Sequence, residues 1–183
     1  MNFCVFCGSS SGHDAVYAAA ARELGQLIGH SKSTLIYGGG NIGLMGILAD
    51  TVLATGGKVI GVIPDFLLRR EVAHHGITQL EVVDSMHERK KRMADLADAF
   101  IALPGGWGTL DELAEILTWK QLGLVNVPIG LLNINFYFDH LLAQMEVMAR
   151  DGFLSAVNLQ SIKVSTKPQH LLAQLGVNSV QST

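Results

Sequence analysis

The sequence has little cysteine, little charge and no long apolar run, and each shortage removes a class of protein. Two cysteines in 183 residues cannot build a disulfide framework, and their spacing, Cys4-x-x-Cys7, lacks the second pair a zinc site needs. The run "NFCVFC" reads as a strand, in which residues three apart point to opposite faces, so a redox pair is not expected there. The seven histidines form no H-E-x-x-H spacing, and His74 and His75, adjacent in an expected loop, read as solvated rather than as ligands. Charged residues make up 16% of the chain and the net charge is -3, which argues against a nucleic-acid partner. No apolar run approaches the roughly 18 residues of a membrane span. The start, "MNFCVFCGSSSG", has no basic n-region of a signal peptide, so no membrane partner and a cytoplasmic location are expected.

Apolar residues, by contrast, are plentiful at 49%. The length suits one domain, expected over residues 1–176, that buries about 70% of its unfolded surface without staples. The last residues, 177–183, are expected to fray. Short β-like runs alternate with helical ones. Strands are expected at "NFCVFC", "STLIYGG", "KVIGVIP", "ITQLEVV", "AFIALPG" and "VPIGLLN". Helices are expected over Asp14 to Gly29, Leu44 to Ala54, Met86 to Ala97, Thr109 to Leu122 and Phe136 to Arg150, with a last short strand and helix in "SIKVSTKPQHLLAQLG". This alternation predicts an α/β fold: a Rossmann-like, doubly wound, mostly parallel sheet with helices on both faces. Its ligands belong outside the carboxyl ends of the strands. Three strands run there into glycine-rich loops, "CGSSSG", "YGGGNIGLMG" and "PGGWGTLDE", which predicts one site built from three loops.

Gly38 to Gly43 fits G-x-G-x-x-G, but no acidic residue follows at ribose-binding distance, where Lys58 stands, and no Walker G-K-[ST] exists. The general property survives: glycine turns before helix starts offer N–H donors to a phosphate. Ser85-x-x-Glu88 is a capping box that starts a helix whose apolar stripe is Met86, Met93 and Ala97. Arg89 and Lys90 flank that stripe, and two accounts fit them equally, snorkelling to water or service in a site. Thr109 to Glu112 is also a capping box, which on pattern alone explains Glu112 as a helix starter. Trp119 lies opposite the Leu110, Leu113 and Leu117 stripe, pointing to a partner subunit or to packing under the C-terminal segment.

"MHERKKRM" and "ADAFIALPGGWGTLDELAEILTWKQLG" resemble the LOG family of cytokinin riboside 5′-monophosphate phosphoribohydrolases, also labelled "lysine decarboxylase". The pattern P-G-G-x-G-T-x-x-E is complete from Pro104 to Glu112, and "FCGSS", "YGGGNIGLMG", "GVIP", "GLLN" and "YFDHLL" extend the likeness over nearly the whole chain. The resemblance implies a Rossmann-like fold and a homodimer, or a larger homo-oligomer, with active sites near the interface. It implies hydrolysis of the N-glycosidic bond of adenosine 5′-monophosphates, N6-modified or plain, to free base and ribose 5-phosphate, with no metal or organic cofactor. Arg89 and Glu112 are its implied catalytic residues. Ser9, Gly39, Gly40, Met45, Glu71, Arg89, Lys90, Gly105, Gly106, Trp107, Gly108, Thr109, Leu110 and Asp111 are its implied substrate-binding positions. Trp107 stands where Tyr is common and Asp111 where Glu is common, and the surroundings of Glu71, "FLLRREVAHHGIT", are less typical. Chemically, cleavage of a ribosyl C–N bond builds oxocarbenium-like charge that a carboxylate can stabilise, or the carboxylate can orient water. Arg89 could serve the phosphate or the leaving base. A non-catalytic nucleotide-binding module is the alternative. A decarboxylase would need a pyridoxal-phosphate lysine, which nothing around the lysines suggests.

Overall fold

The computed structural model describes residues 1–68 and 73–176. Strands β1 (Asn2–Phe6), β2 (Thr34–Tyr37), β3 (Lys58–Pro64), β4 (Gln79–Val83), β5 (Ala99–Ala102), β6 (Ile129–Leu132) and β7 (Ile162–Ser165) form one sheet. Their order is β4-β3-β2-β1-β5-β6-β7. Every pairing is parallel, as in Cys4 opposite Ile36 and Phe100. The helices are α1 (Ala15–His30), α2 (Gly43–Ala54), α3 (Met86–Leu96), α4 (Trp107–Gln121), α5 (Asp139–Arg150), α6 (Ala156–Gln160) and α7 (Pro168–Gln174). The doubly wound architecture is as the alternation predicts.

Strand alternation divides the core. Phe3, Val5 and Cys7 point to one side with Leu24, Ile28, Leu48 and Leu171 from α1, α2 and α7. Cys4 and Phe6 point to the other with Met93, Leu113, Ile116 and Phe138. The C-x-x-C cysteines thus sit in opposite cores, both buried and free. The chain reverses direction across the sheet between β1 and β5, so a crevice opens at their carboxyl ends, where such folds bind ligands.

Local chemistry accounts for the helix starts and for the departures. Asp14 caps α1 by accepting from the Val16 N–H (3.0 Å). Ser85 caps α3, accepting from the Glu88 N–H at 3.1 Å, and the Glu88 carboxylate reaches back to the Asp84 N–H at 3.0 Å. Helix α4 begins at Trp107, two residues before the expected Thr109, with Gly106 at its N-cap and no side chain closing it. Strand β5 ends at Ala102 rather than running on to Gly105. The expected helix from Phe136 starts only at Asp139, because Asn135 and Phe136 take left-handed conformations (φ 50° and 59°). Helix α6 has five residues, too few to leave a periodic signal. The tail 177–183 and Glu71 lie outside the described residues. Trp119 is half-buried against the second core rather than exposed. No helix among the described residues is long and apolar enough to cross a membrane.

Candidate active site

Backbone hydrogen bonds tie the three glycine loops to one another. The Gly8 N–H donates to the Pro104 carbonyl and the Leu44 N–H to the Gly8 carbonyl, each at 3.1 Å. Gly43, at φ +61°, lies so close to the β1 loop that a Cβ would stand 2.3 Å from the Ser9 carbonyl carbon. The start of α2 can therefore fold down on the serine loop.

Against this platform α3 delivers Arg89. Its side chain is buried, and the guanidinium, not just its stem, leaves water, which overturns the snorkelling account for this residue. Nη2 donates to the Gly38 carbonyl at 3.3 Å and stands 3.7 Å from Oε1 of Glu112. Gly38 is required here, since a Cβ would come within 1.8 Å of Nη2. Glu112, on α4, is also buried. Its carboxylate takes no part in a capping box, because Thr109 lies inside the helix, not at its N-cap. The helix-starter explanation of Glu112 therefore fails, and a buried carboxylate beside a buried cation remains. Lys90 turns the other way, to Asp111 and Glu115 at 3.1 Å each. Burial would lower the Lys90 ammonium, but the two hydrogen bonds and the carboxylate charges outweigh it and hold its pKa above the ordinary lysine value.

The cleft is open to solvent on one side, has a volume of about 220 Å³ and is lined by Val5, Cys7, Gly8, Ser9, Gly38, Met45, Leu67, Met86, Arg89, Gly106, Trp107, Gly108, Thr109 and Glu112. A second hollow of about 340 Å³, on the α1 side, shares Gly8, Ser9 and Gly106 with it. The first-turn N–H groups of α4 have no side-chain cap and stand at this junction, where an anion would find donors and a favourable dipole. Trp107, 88% exposed, rims the cleft. A third, apolar groove between α4 and α5, about 380 Å³, takes in Leu110 but neither Arg89 nor Glu112.

Of the residues expected at the site, Ser9, Met45, Arg89, Gly106, Trp107, Gly108, Thr109 and Glu112 line the cleft, and Gly105 lines the adjoining hollow. Gly39 and Gly40 lie behind Gly38, held by the His74 N–H on the Gly39 carbonyl (2.9 Å) and by a bridge from Gly40 to Ala73. Lys90 and Asp111 pair with each other at 3.1 Å, and neither lines the cleft. His74 corrects the expectation of a solvated side chain. It is buried, its Nδ1 accepts from the Gly76 N–H (3.2 Å), and its Nε2 therefore carries the proton facing Asp50 at 2.9 Å. Sequence reasoning missed Met86 and Cys7 as lining residues, the first because it reads as apolar stripe and the second as strand. Burial pushes both cysteine thiols well up, the Glu112 charge adds to the shift and Arg89 opposes it, so both stay protonated. Among the described residues no three His, Cys, Asp or Glu side chains are grouped to hold a metal.

A family model described as "Possible lysine decarboxylase" matches residues 45–175. A probable cytokinin riboside 5′-monophosphate phosphoribohydrolase of Oryza sativa is 48% identical over 92% of this chain and 75% of its own length. A cytokinin riboside 5′-monophosphate phosphoribohydrolase of Rhodococcoides fascians is 51% identical over 82% of this chain and 77% of its own. The chain belongs to the LOG family. A further LOG relative, from Arabidopsis thaliana, is 45% identical over 94% of this chain and 79% of its own. The LOG chain also shares its fold with a molybdenum cofactor binding protein from Rippkaea orientalis, at TM-score 0.70 and 20% identity over 94% and 93% of the two chains. At that identity the likeness concerns the fold alone.

Proposed function

We propose that this chain hydrolyses the N-glycosidic bond of adenosine 5′-monophosphates, N6-modified or plain, releasing free base and ribose 5-phosphate. The observation that carries this reading is the buried Arg89–Glu112 pair, 3.7 Å apart, in the same cleft as the uncapped start of α4. The α4 amides take the 5′-phosphate, and that binding positions the ribose. Glu112 lies five residues along α4 from Trp107, about 7.5 Å of helix rise, which leaves room for a ribose between phosphate and carboxylate. There the carboxylate stabilises the oxocarbenium-like sugar and orients the attacking water. The C1′–N bond breaks with its electron pair going to the base, the water oxygen bonds to C1′, and the proton that the water gives up ends on the base. Arg89, beside Glu112 rather than at the helix start, holds the carboxylate in place and donates to the departing base. Release of adenine from AMP would make the enzyme an AMP nucleosidase as well.

The experiment is base release, followed by chromatography, from isopentenyladenosine 5′-monophosphate, AMP and the unphosphorylated riboside. Release is expected from the monophosphates only, with Glu112→Gln slower by at least about 100-fold. Nucleotide binding without any release would make the protein a binding module instead.

We also infer a single domain over residues 1–176, supported by one sheet that takes in all seven strands of the described residues, and a cytoplasmic location, supported by two unpaired buried thiols. A homodimer is supported by the apolar α4–α5 groove and by Phe153 and Val157, 85% and 76% exposed beside it.

A further inference from the structure

The motif "YFDHLL" has no part in the reaction described above, yet its tyrosine reaches the site. The segment after β6 leaves regular structure: Asn135 and Phe136 both take left-handed conformations, at φ 50° and 59°. For a phenylalanine that geometry is costly and persists only where the surroundings impose it, a pattern that gathers at functional sites. Asn133 holds the turn, its Oδ1 accepting from the Phe138 N–H (2.7 Å) and its Nδ2 donating to Asp139 (2.8 Å). The result places Tyr137 edge-on to Tyr17 and to the buried Phe138, with ring centroids 5.9 and 5.1 Å apart. Its hydroxyl donates to the Gly105 carbonyl at 2.5 Å.

Three consecutive carbonyls of the glycine loop are each held by a different part of the fold. Pro104 O accepts from the Gly8 N–H and Gly106 O from the Leu110 N–H, both at 3.1 Å. Gly105 O, between them, accepts from Tyr137. The peptide it belongs to joins two glycines, so no Cβ opposes its rotation. In a trans peptide the carbonyl and the following N–H point opposite ways, so turning Gly105 O toward Tyr137 turns the Gly106 N–H away from it. Gly106 lines both the cleft and the hollow beside it.

We propose that Tyr137 is a positioning residue that fixes the Gly105–Gly106 peptide and, through it, the phosphate-holding start of α4. This rests on the phosphoribohydrolase reading. The test is Tyr137→Phe in the full chain, which keeps both ring contacts and removes only the hydroxyl. Ribose 5-phosphate and adenosine are titrated by calorimetry into the wild type and the variant, with melting temperatures measured alongside. Losing one hydrogen bond should weaken ribose 5-phosphate about five- to tenfold. Adenosine, which lacks the phosphate, should bind as before, melting should be nearly unchanged, and KM for AMP should rise more than kcat falls. Unchanged affinity for ribose 5-phosphate would overturn the proposal. So would equal weakening of both ligands with a lower melting temperature, which describes a merely structural tyrosine. Absence of base release by the wild type would sink the functional reading instead, and calorimetry would still judge Tyr137.

Discussion

At the scale of single residues, the site depends on groups that are unusual where they stand. Arginine and glutamate are rarely buried unless paired, and here each is the other's neighbour at 3.7 Å. A glycine makes this possible, because only at a residue like Gly38 can the guanidinium lie against the backbone. Arg89 was legible as an oddity beside an apolar stripe, but pattern alone could not separate snorkelling from burial, since that depends on what covers the helix. Glu112 was masked by a capping pattern that the chain does not use. The cysteines give a prediction at this scale. With burial, and next the Glu112 charge, pushing both thiols up, neither should be alkylated by iodoacetamide in the native protein at neutral pH. Mass spectrometry after labelling checks this, and modification of Cys7 without unfolding would contradict it.

Elements set the aim of those residues. Arg89 sits one turn beyond the Ser85 cap, so the start of α3 decides where the guanidinium lands. Ser85→Ala should cost about 1 kcal/mol of stability. That loss should lower the melting temperature by roughly 2–4 °C, and base release should fall with it. A full-speed variant would show that Arg89 does not depend on its cap. Edge strand β4 is tied to α3 by Glu81, whose carboxylate accepts from Arg92 at 2.6 and 2.9 Å. That hydrogen bond, opposed by burial and helped by the Arg92 charge, holds the Glu81 pKa below its ordinary 4.5. A depressed carboxyl contributes stability that is complete above the unfolded value and is lost as pH falls through the folded one. Glu81→Gln should therefore melt lower than wild type at pH 7, and the gap should close as pH falls below 4.5. A gap independent of pH, in scanning calorimetry, would mean that the pair contributes packing rather than charge.

At the scale of the whole molecule, the parallel order places β1 and β5 side by side, and only that adjacency brings loops nearly a hundred residues apart onto one crevice. The apolar α4–α5 groove shares no lining residue with the Arg89–Glu112 cleft, and with Phe153 exposed on it this is the surface on which the proposed homodimer would form. Wild type should scatter light as a dimer, and Phe153→Asp should shift the population toward monomer. A monomeric wild type would remove the groove from consideration as an interface.

By itself the sequence determined the layered architecture, because periods of two and of 3.6 residues alternate along it and parallel strands need burial on both faces. It also determined which glycine-rich loops follow the strands, and through its motifs the family. Tertiary structure decided what local pattern leaves ambiguous. Thr109 to Glu112 reads as a cap until α4 is seen to start at Trp107. His74 reads as solvated until Asp50 and Gly76 are found beside it. Tyr137 reads as one aromatic in a helix until its turn brings the hydroxyl to Gly105. In each case the deciding partner is remote in sequence or the deciding backbone angle is local and irregular, and neither leaves a periodic trace.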